Sequence, residues 1–585
     1  MTQGTTQLFS SGFETASFVA SSGLLSATWN LIADLNAETP PNENIFWKKL
    51  SNESDLTIIA FGTTQNRVQP DLLRSSDMID SPFEFLCSKK NPYFSLNQPA
   101  MSLFNDHRQR LGHLKSEIDL QKPAIVTGHG VGGSIASLFT LWLIEKMGLS
   151  DKPPLCITFG SPLIGDKYLQ EAISRSSIWN SCFLHVASHR DPLVSSFISN
   201  DSYRPFGTFL LCSDCGSTCS ENPDSISRLL KEMSTPNQGS QIPAYGNIVE
   251  RLSSKAICKG SDVPNIAHNL LQASLVLQLP ALGFSNSQLS QNNLVKDLER
   301  QELLFTLNKR KRFVPHKKLV EMKTYMAQLE WYKKTSKNRR TGYYDGYKNG
   351  FYPSDSEIAM FIMILNNYWK DMVEEAEIHP QKEGVPFRSR WLYAGTTYRR
   401  MVEPLDIARY YKDGGQDYIC KGRSEHYKQL QKWLEEDQKM WREKQKGQEE
   451  DMKAELWREK QKGHEEDKKA ERINRKNVQS MLTKDSCFWA HVEEALILLR
   501  KCKAAGSSET EKQEGRKRLE EFEEYVYGLL KNYTVSPEIF LEESSYMRWW
   551  KDYKTFKGAS YDSQLANFMK EHAAYEKGEY DFSCE

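Results

Sequence analysis

The sequence predicts two architectures in one chain: a parallel α/β sheet with crossover helices over residues 1–290, and an all-helical bundle over 291–585. Three observations carry this. In the first half, short apolar runs alternate with helical patterns, as they do where parallel strands are joined by helices. In the second half, aromatic and charged residues recur at helical spacing, as at Tyr325, Leu329 and Tyr332. Between them in importance stands Ile125-Val126-Thr127-Gly128-His129-Gly130-Val131-Gly132-Gly133, which reads as a strand entering a sharp turn and then a helix.

In chain order, Thr57–Phe61 is a strand, residues 99–119 are helical in pattern, Ala124–Thr127 is the strand before the sharp turn, and Ser134–Met147 is an apolar helix. Leu155–Phe159 and Phe183–Ala187 are further strands, and from about 290 the strands largely stop. Residues 435–476 form a third kind of segment. Trp441-Arg-Glu-Lys-Gln-Lys-Gly447 recurs at 457–463, and Glu-Glu-Asp begins at 435, 449 and 465. Charges of both signs at i,i+4 support a solvated helix, while Gly447 and Gly463 each weaken it by about 1 kcal/mol relative to alanine. An exposed helical insertion is the reading; a coiled-coil seam has few apolar residues to build on.

Composition excludes several classes. The 585 residues carry 76 Lys+Arg and 76 Asp+Glu, so no global charge steers the chain to nucleic acid or membrane. Eleven irregularly spaced cysteines argue against a disulfide framework. The first basic residue is Lys48, which leaves no basic leader of a signal peptide. The most apolar stretch, Leu270–Phe284, is short and broken by Gln272, Gln278 and Pro280, too little to span a bilayer. An intracellular, reducing setting is expected.

The 125–133 turn matches the nucleophile elbow of an α/β-hydrolase, G-x-S-x-G, in which a strained turn lifts a serine above the sheet. Gly128, His129, Val131 and Gly132 sit where that motif wants them, but the apex is Gly130, which has no side chain to attack a carbonyl. The scaffold is lipase-like and the nucleophile is missing. Phe61-Gly62-Thr63 follows a strand and suits one backbone donor of an oxyanion hole, with the Val131 N–H as the other. Asp191 follows a strand and suits a triad acid; a turn residue before Pro192 is the other reading. The order Ser–Asp–His then asks for a later histidine, either His268 or the more distant His316, neither in a diagnostic context. Ser134 lies inside the following helix and is expected to point away from the elbow, and His129 is expected to pack rather than react. Cys212, Cys215 and Cys219 lack a fourth ligand at usual zinc spacing, Cys258 being far along, and read as buried or loop thiols.

Several runs together are similar to one family. The elbow followed by Ala136-Ser-Leu-Phe-Thr-Leu-Trp-Leu143, then Leu329-Glu-Trp-Tyr-Lys333 with Gly342-Tyr-Tyr-Asp345, Trp391 onward with Tyr398-Arg-Arg-Met-Val-Glu-Pro-Leu-Asp-Ile-Ala408, Gly422-Arg-Ser-Glu-His-Tyr427 and Ser544-Ser-Tyr-Met-Arg-Trp-Trp550 resemble the plant lipase-like immune regulators, whose helical half is called the EP domain. The resemblance covers the chain except the charged insertion and the extreme termini. Of the family's three members two carry the elbow serine, and Gly130 places this chain with the third.

The resemblance implies a non-catalytic adaptor of innate immunity in nucleus and cytoplasm. Its implied partner is enhanced disease susceptibility 1, which inserts an apolar helix into a groove of the lipase-like domain. The two EP domains then line a cavity for a nucleotide made by TIR-domain receptors, ADP-ribosylated ATP or di-ADP-ribose, and binding recruits a helper receptor of the coiled-coil RPW8 type that drives cell death. No resident cofactor or metal is implied. An acyl hydrolase with a non-standard nucleophile is the alternative, and a scaffold with an empty cavity a third reading.

An anionic ligand fits the residue types. Polyphosphates want arginine forks and aromatic faces. Tyr398, Arg399 and Arg400 supply both, and Lys333, Lys334, Lys337, Arg339 and Arg340, then Lys421 and Arg423, add positive charge. The competing reading is solvated helix faces, with Tyr332, Tyr410 and Tyr411 in the bundle core. Adjacent helical residues diverge by about 100°, so Arg399 and Arg400 cannot both aim into one cavity.

Overall fold

The structure is a computed structural model. It describes residues 13–582 apart from 39–42, 52–55, 66–68, 79, 149–150, 199–200, 234–243, 255–274, 277, 286–292, 312–313, 338–339, 351–353, 450–473, 479–480, 505–508 and 559. Two compact units divide the chain, residues 1–312 with 377–385, and 313–376 with 386–585.

The first unit is built on a seven-stranded sheet in the order β1-β2-β5-β6-β7-β8-β9. Its strands are β1 (Ile45–Ser51), β2 (Thr57–Thr63), β5 (Ala124–His129), β6 (Leu155–Phe159), β7 (Phe183–Ser188), β8 (Thr208–Cys212) and β9 (Ser217–Ser220); β3 (Leu72–Arg74) and β4 (Ser95–Asn97) form a separate pair. From β2 to β8 all neighbours are parallel, and the two edges, β1 and β9, run antiparallel. Both faces are buried, as a parallel sheet requires. Ile59, Phe61 and Val126 face a core shared with α3 (Gln98–Asp106), α4 (Arg108–Ser116) and α5 (Val131–Lys146), while Ile58, Ala60 and Ile125 face α1 (Phe13–Ser21), α2 (Leu24–Ala37) and α10 (Tyr245–Ser254). The outer layers also hold α6 (Lys167–Arg175), α7 (Ser177–Ser181), α8 (Pro192–Ile198), α9 (Pro223–Met233) and α11 (Leu294–Lys311).

One expectation changes. The single helix over 99–119 is two, because the backbone at His107 leaves the helical range (φ −109°, ψ 8°). The cysteines read as buried or loop thiols lie on a hairpin, Cys212 and Cys219 buried on its strands and Cys215 exposed between them: Cys212 faces Ser217 and Leu210 faces Cys219 across β8 and β9. Residues 377–385 belong to this unit. There the Lys382 ammonium donates to the carbonyls of Ile144 (2.7 Å) and Glu145 at the C-terminal end of α5, where a cation complements the helix dipole.

Among the described residues the second unit is helical throughout: α12 (Leu319–Lys337), α13 (Tyr343–Asn349), α14 (Asp355–Ile378) and α15 (Gln381–Lys412) apart from their residues within 377–385, α16 (Glu425–Glu449), α17 (Phe488–Lys503), α18 (Glu509–Lys531), α19 (Ser545–Lys557), and the short α20 (Gln564–Phe568) and α21 (His572–Glu576). The core is aromatic, with Tyr344 stacked on Trp489 at 4.3 Å and Trp549 on Tyr553 at 4.9 Å. Helix α16 runs into the charged repeat with Trp441 exposed, and 450–473 lies outside the described residues.

Asp345 pins this core. Its fully buried carboxylate accepts from the Ser545 hydroxyl (2.6 Å) and N–H (3.1 Å), holding the start of α19. Burial pushes its pKa from 3.8 up to about 6, the Glu493 charge adds to that, and the Ser545 hydrogen bonds oppose it. The folded chain therefore binds this proton more tightly than the unfolded chain, so its contribution to stability falls as pH rises from about 4 to about 6. In Asp345→Asn that decline is expected to disappear: melting temperatures should shift in the variant's favour between pH 4.5 and pH 7. An unchanged difference between variant and wild type across that range would refute the assignment.

Candidate functional site

Two sites emerge, one in each unit. In the first, β5 delivers Gly130 to the turn before α5 with φ 55° and ψ −125°, a backbone that strains any L side chain. Its N–H donates to the Phe159 carbonyl (2.9 Å) and its carbonyl accepts from the Gly133 N–H (3.0 Å). The neighbouring glycines are sterically required. A Cβ on Gly128 would strike the Gly132 carbonyl, one on Gly132 would lie 2.5 Å from the Phe61 oxygen, and one on Gly133 would lie 2.8 Å from Ser161 Cβ. At Gly130 a Cβ would meet only Leu193 Cδ1 at 3.5 Å. The close crossing of α5 over β2 and β5 thus explains Gly128 and Gly132, and the approach of Ser161 after β6 explains Gly133; the apex has room for a side chain and lacks one. Val131 opens α5, so its N–H is among those a helix leaves without an intrahelical acceptor, and Phe61-Gly62-Thr63 closes β2.

Asp191 lies just past β7, buried, with one carboxylate oxygen accepting from the Leu193 N–H (2.9 Å) and the other from the Tyr245 hydroxyl (2.6 Å). Burial raises its pKa and the Tyr245 hydrogen bond opposes that. A triad histidine would donate to such an oxygen; here a tyrosine from α10 does. His129 packs edge-on against Trp29 (5.6 Å) and Tyr245 (5.5 Å), and burial depresses its pKa, so the ring is neutral at pH 7. Ser134 is buried in α5 with its hydroxyl 3.5 Å from that of Ser161. His316 sits in a turn of the second unit, and His268 lies outside the described residues.

Cys212 and Cys219 are buried thiols pushed up to about 12 by burial, Cys215 is exposed, and Cys258 lies outside the described residues. Among the described residues no cluster of three or more His, Cys, Asp or Glu side chains is placed to hold a metal ion, and no helix is long and apolar enough to cross a membrane.

The second site gathers around α15. Tyr398 is fully buried, stacked on Trp369 (5.1 Å), its hydroxyl hydrogen-bonded to Asn366 Oδ1 (2.5 Å) and within 2.9 Å of His426 Nε2. Arg399 is also buried. Its Nη1 donates to Ser486 Oγ (2.7 Å) and Gln431 Oε1 (3.3 Å), and lies 4.0 Å from Glu403 Oε2. Arg423 closes on the same carboxylate through Nε (2.7 Å) and on Gln431 through Nη2 (2.8 Å). Arg400 turns elsewhere: its Nε donates to the Lys484 carbonyl (3.2 Å). Burial lowers the pKa of Arg400, with the Arg399 charge next, and burial then the Arg400 charge lower that of Lys484. No carboxylate among the described residues pairs with either cation.

Lys333 reaches the same 481–487 segment from α12, donating to the Met481 carbonyl (3.2 Å) with Glu538 at 3.5 Å. Lys334 pairs along its own helix with Glu330, and Arg340 stands apart, 77% exposed, 3.8 Å from Glu542. Arg339 and the Lys337 side chain lie outside the described residues. Lys421 lies in the π-turn over Tyr418–Gly422 that precedes Arg423. Tyr332 and Tyr411 commit their hydroxyls to Asp355 and Glu494 in partly buried hydrogen bonds, and Tyr410 donates to the Gln416 carbonyl at the exposed surface. The sequence reading missed Tyr245, Glu403, Gln431, Lys484 and Ser486. Only Glu403 had a local signal, four residues after Arg399 on one helix face.

Fold and sites together define a lipase-like α/β unit with a glycine elbow, followed by a helical unit bearing a partly buried cationic cluster. A family model described as "Enhanced disease susceptibility 1 protein EP domain" matches residues 327–456 and 446–568, and one described as "Lipase (class 3)" matches 85–200. Senescence-associated carboxylesterase 101 of Arabidopsis thaliana is 36% identical over 96% of this chain and 97% of its own length. Lipase-like PAD4 of the same plant is 28% identical over 84% and 86%, and Protein EDS1B 24% over 75% and 79%. The chain belongs to the lipase-like, EP-domain family of plant immune regulators.

Proposed function

We propose that this protein is a non-catalytic adaptor that pairs with an enhanced disease susceptibility 1 protein in nucleus and cytoplasm, takes up a TIR-generated ADP-ribosylated nucleotide at the cationic face of its helical unit, and thereby recruits a helper receptor of the coiled-coil RPW8 type that drives cell death. The carrying observation is Arg400 beside Lys484, two partly buried cations whose charged forms are disfavoured first by burial and then by a neighbouring cation, Arg399 for Arg400 and Arg400 for Lys484, with no carboxylate partner among the described residues. Partly buried like charge is unfavourable until an anion arrives, and a polyphosphate supplies one. Membership in a family that includes Protein EDS1B supports the partner.

The elbow supports the non-catalytic half. Gly130 offers no nucleophile, and Tyr245 holds the oxygen of Asp191 that a histidine would use. A second reading, acyl hydrolysis by another nucleophile, draws on the carboxylesterase name of one relative. Purified protein is expected to hydrolyse short-chain esters no faster than a heat-denatured control. Turnover that Ser134→Ala or Asp191→Ala abolishes would overturn the non-catalytic reading, and turnover that survives both would point to a nucleophile elsewhere.

A further inference from the structure

The geometry points to Arg399 as a positioning residue that clamps together the two chain segments flanking the charged repeat, leaving Arg400 and Lys484 as the anion-facing cations; the last clause rests on the nucleotide reading above. The clamp is a closed ring of hydrogen bonds. Arg399 Nη1 donates to Ser486 Oγ (2.7 Å), Ser486 Oγ donates to Glu403 Oε2 (2.5 Å), Glu403 accepts from Arg423 Nε (2.7 Å), Arg423 Nη2 donates to Gln431 Oε1 (2.8 Å), and that same oxygen accepts from Arg399 Nη1 (3.3 Å). Gln431 lies on α16, before the repeat, and Ser486 lies after it. Arg399 thus bridges the entering and leaving segments with one nitrogen.

The ring also fixes what lies next to it. Ser486 is two residues from Lys484, whose carbonyl holds Arg400 Nε. Pinning Ser486 pins that carbonyl and, with it, the direction of the Arg400 guanidinium. Arg399 commits its Nη1 to the ring, leaves its buried Nε without a hydrogen-bond partner, and is nearly inaccessible, at 4% exposure; its neighbour, turned about 100° around the helix, is not.

Hydrogen exchange on the full chain tests the clamp without any ligand. Ser486→Ala keeps every charge of the ring and opens it, so exchange should rise at least tenfold in both 428–433 and 481–487. Ser486→Thr, which retains the hydroxyl, should restore protection, and Arg400→Ala should leave both segments as in wild type. Faster exchange confined to 481–487, or equal acceleration by Arg400→Ala, would overturn the clamp. Titration with inorganic tripolyphosphate tests its consequence. Arg400→Ala should weaken binding about ten- to hundred-fold, and Ser486→Ala should weaken it in the wild-type background but add nothing to Arg400→Ala, the non-additivity expected when one residue acts through another. Additive losses would overturn the division of roles. Absence of binding by wild type would sink the nucleotide reading itself, while the exchange result would still decide the clamp.

Discussion

Glu403→Ala is expected to destabilise the helical unit by about 3–5 kcal/mol, the usual result of removing one partner from a buried charge pair. Glu403 is wholly inaccessible and accepts from Arg423, Ser486 and the Cys487 thiol, with Arg399 at 4.0 Å. Without it, two buried guanidinium groups face each other with Gln431 and Ser486 as their remaining acceptors. For a unit of this size the loss corresponds to a fall in melting temperature of roughly 6–20 °C. Because the chain has two units, the transition should be followed by tryptophan fluorescence and circular dichroism together, so that a separate event in the first unit is recognised. A drop smaller than about 1 kcal/mol would show that the ring contributes no more than a surface ion pair.

Arg400→Ala is expected to do the opposite: leave stability nearly intact and abolish signalling. Among the described residues the side chain makes one hydrogen bond, to the Lys484 carbonyl, and its charge is disfavoured by burial and by Arg399, so removing it also relieves repulsion. If Arg400 grips a phosphate, its loss removes a charge-assisted contact of roughly 1.5–3 kcal/mol, or about ten- to hundred-fold in affinity. Co-precipitation after TIR activation should recover the immune partner with the variant as with wild type, but not the helper receptor. Normal helper recruitment would move the ligand site toward Lys333 and Arg340.

The elbow was legible because its logic is local. Gly128 and Gly132 follow from one strand, one turn and one helix crossing at close range, each blocked by an atom within the motif or on the neighbouring strand, while Gly133 is blocked by Ser161, just past β6. Its surroundings were not, since Tyr245 joins Asp191 across 54 residues. The helical unit divides the same way. Adjacency on a helix already forced Arg399 and Arg400 apart. Which of them turns inward is decided by Ser486 and Gln431, 87 and 32 residues from Arg399, and no periodicity encodes such distances. The β8–β9 hairpin escaped because Thr208–Cys212 and Ser217–Ser220 are short, and the polar turn between them reads as loop.

Native mass spectrometry of the full chain co-expressed with an enhanced disease susceptibility 1 protein, with and without an active TIR enzyme, tests the central claim most directly. The expected result is a 1:1 complex in both samples that gains the mass of one ADP-ribosylated nucleotide only when the TIR enzyme is active, and fails to gain it when the chain carries Arg400→Ala. A complex whose mass is the same with and without the enzyme, or a nucleotide retained equally by the Arg400→Ala chain, would contradict it.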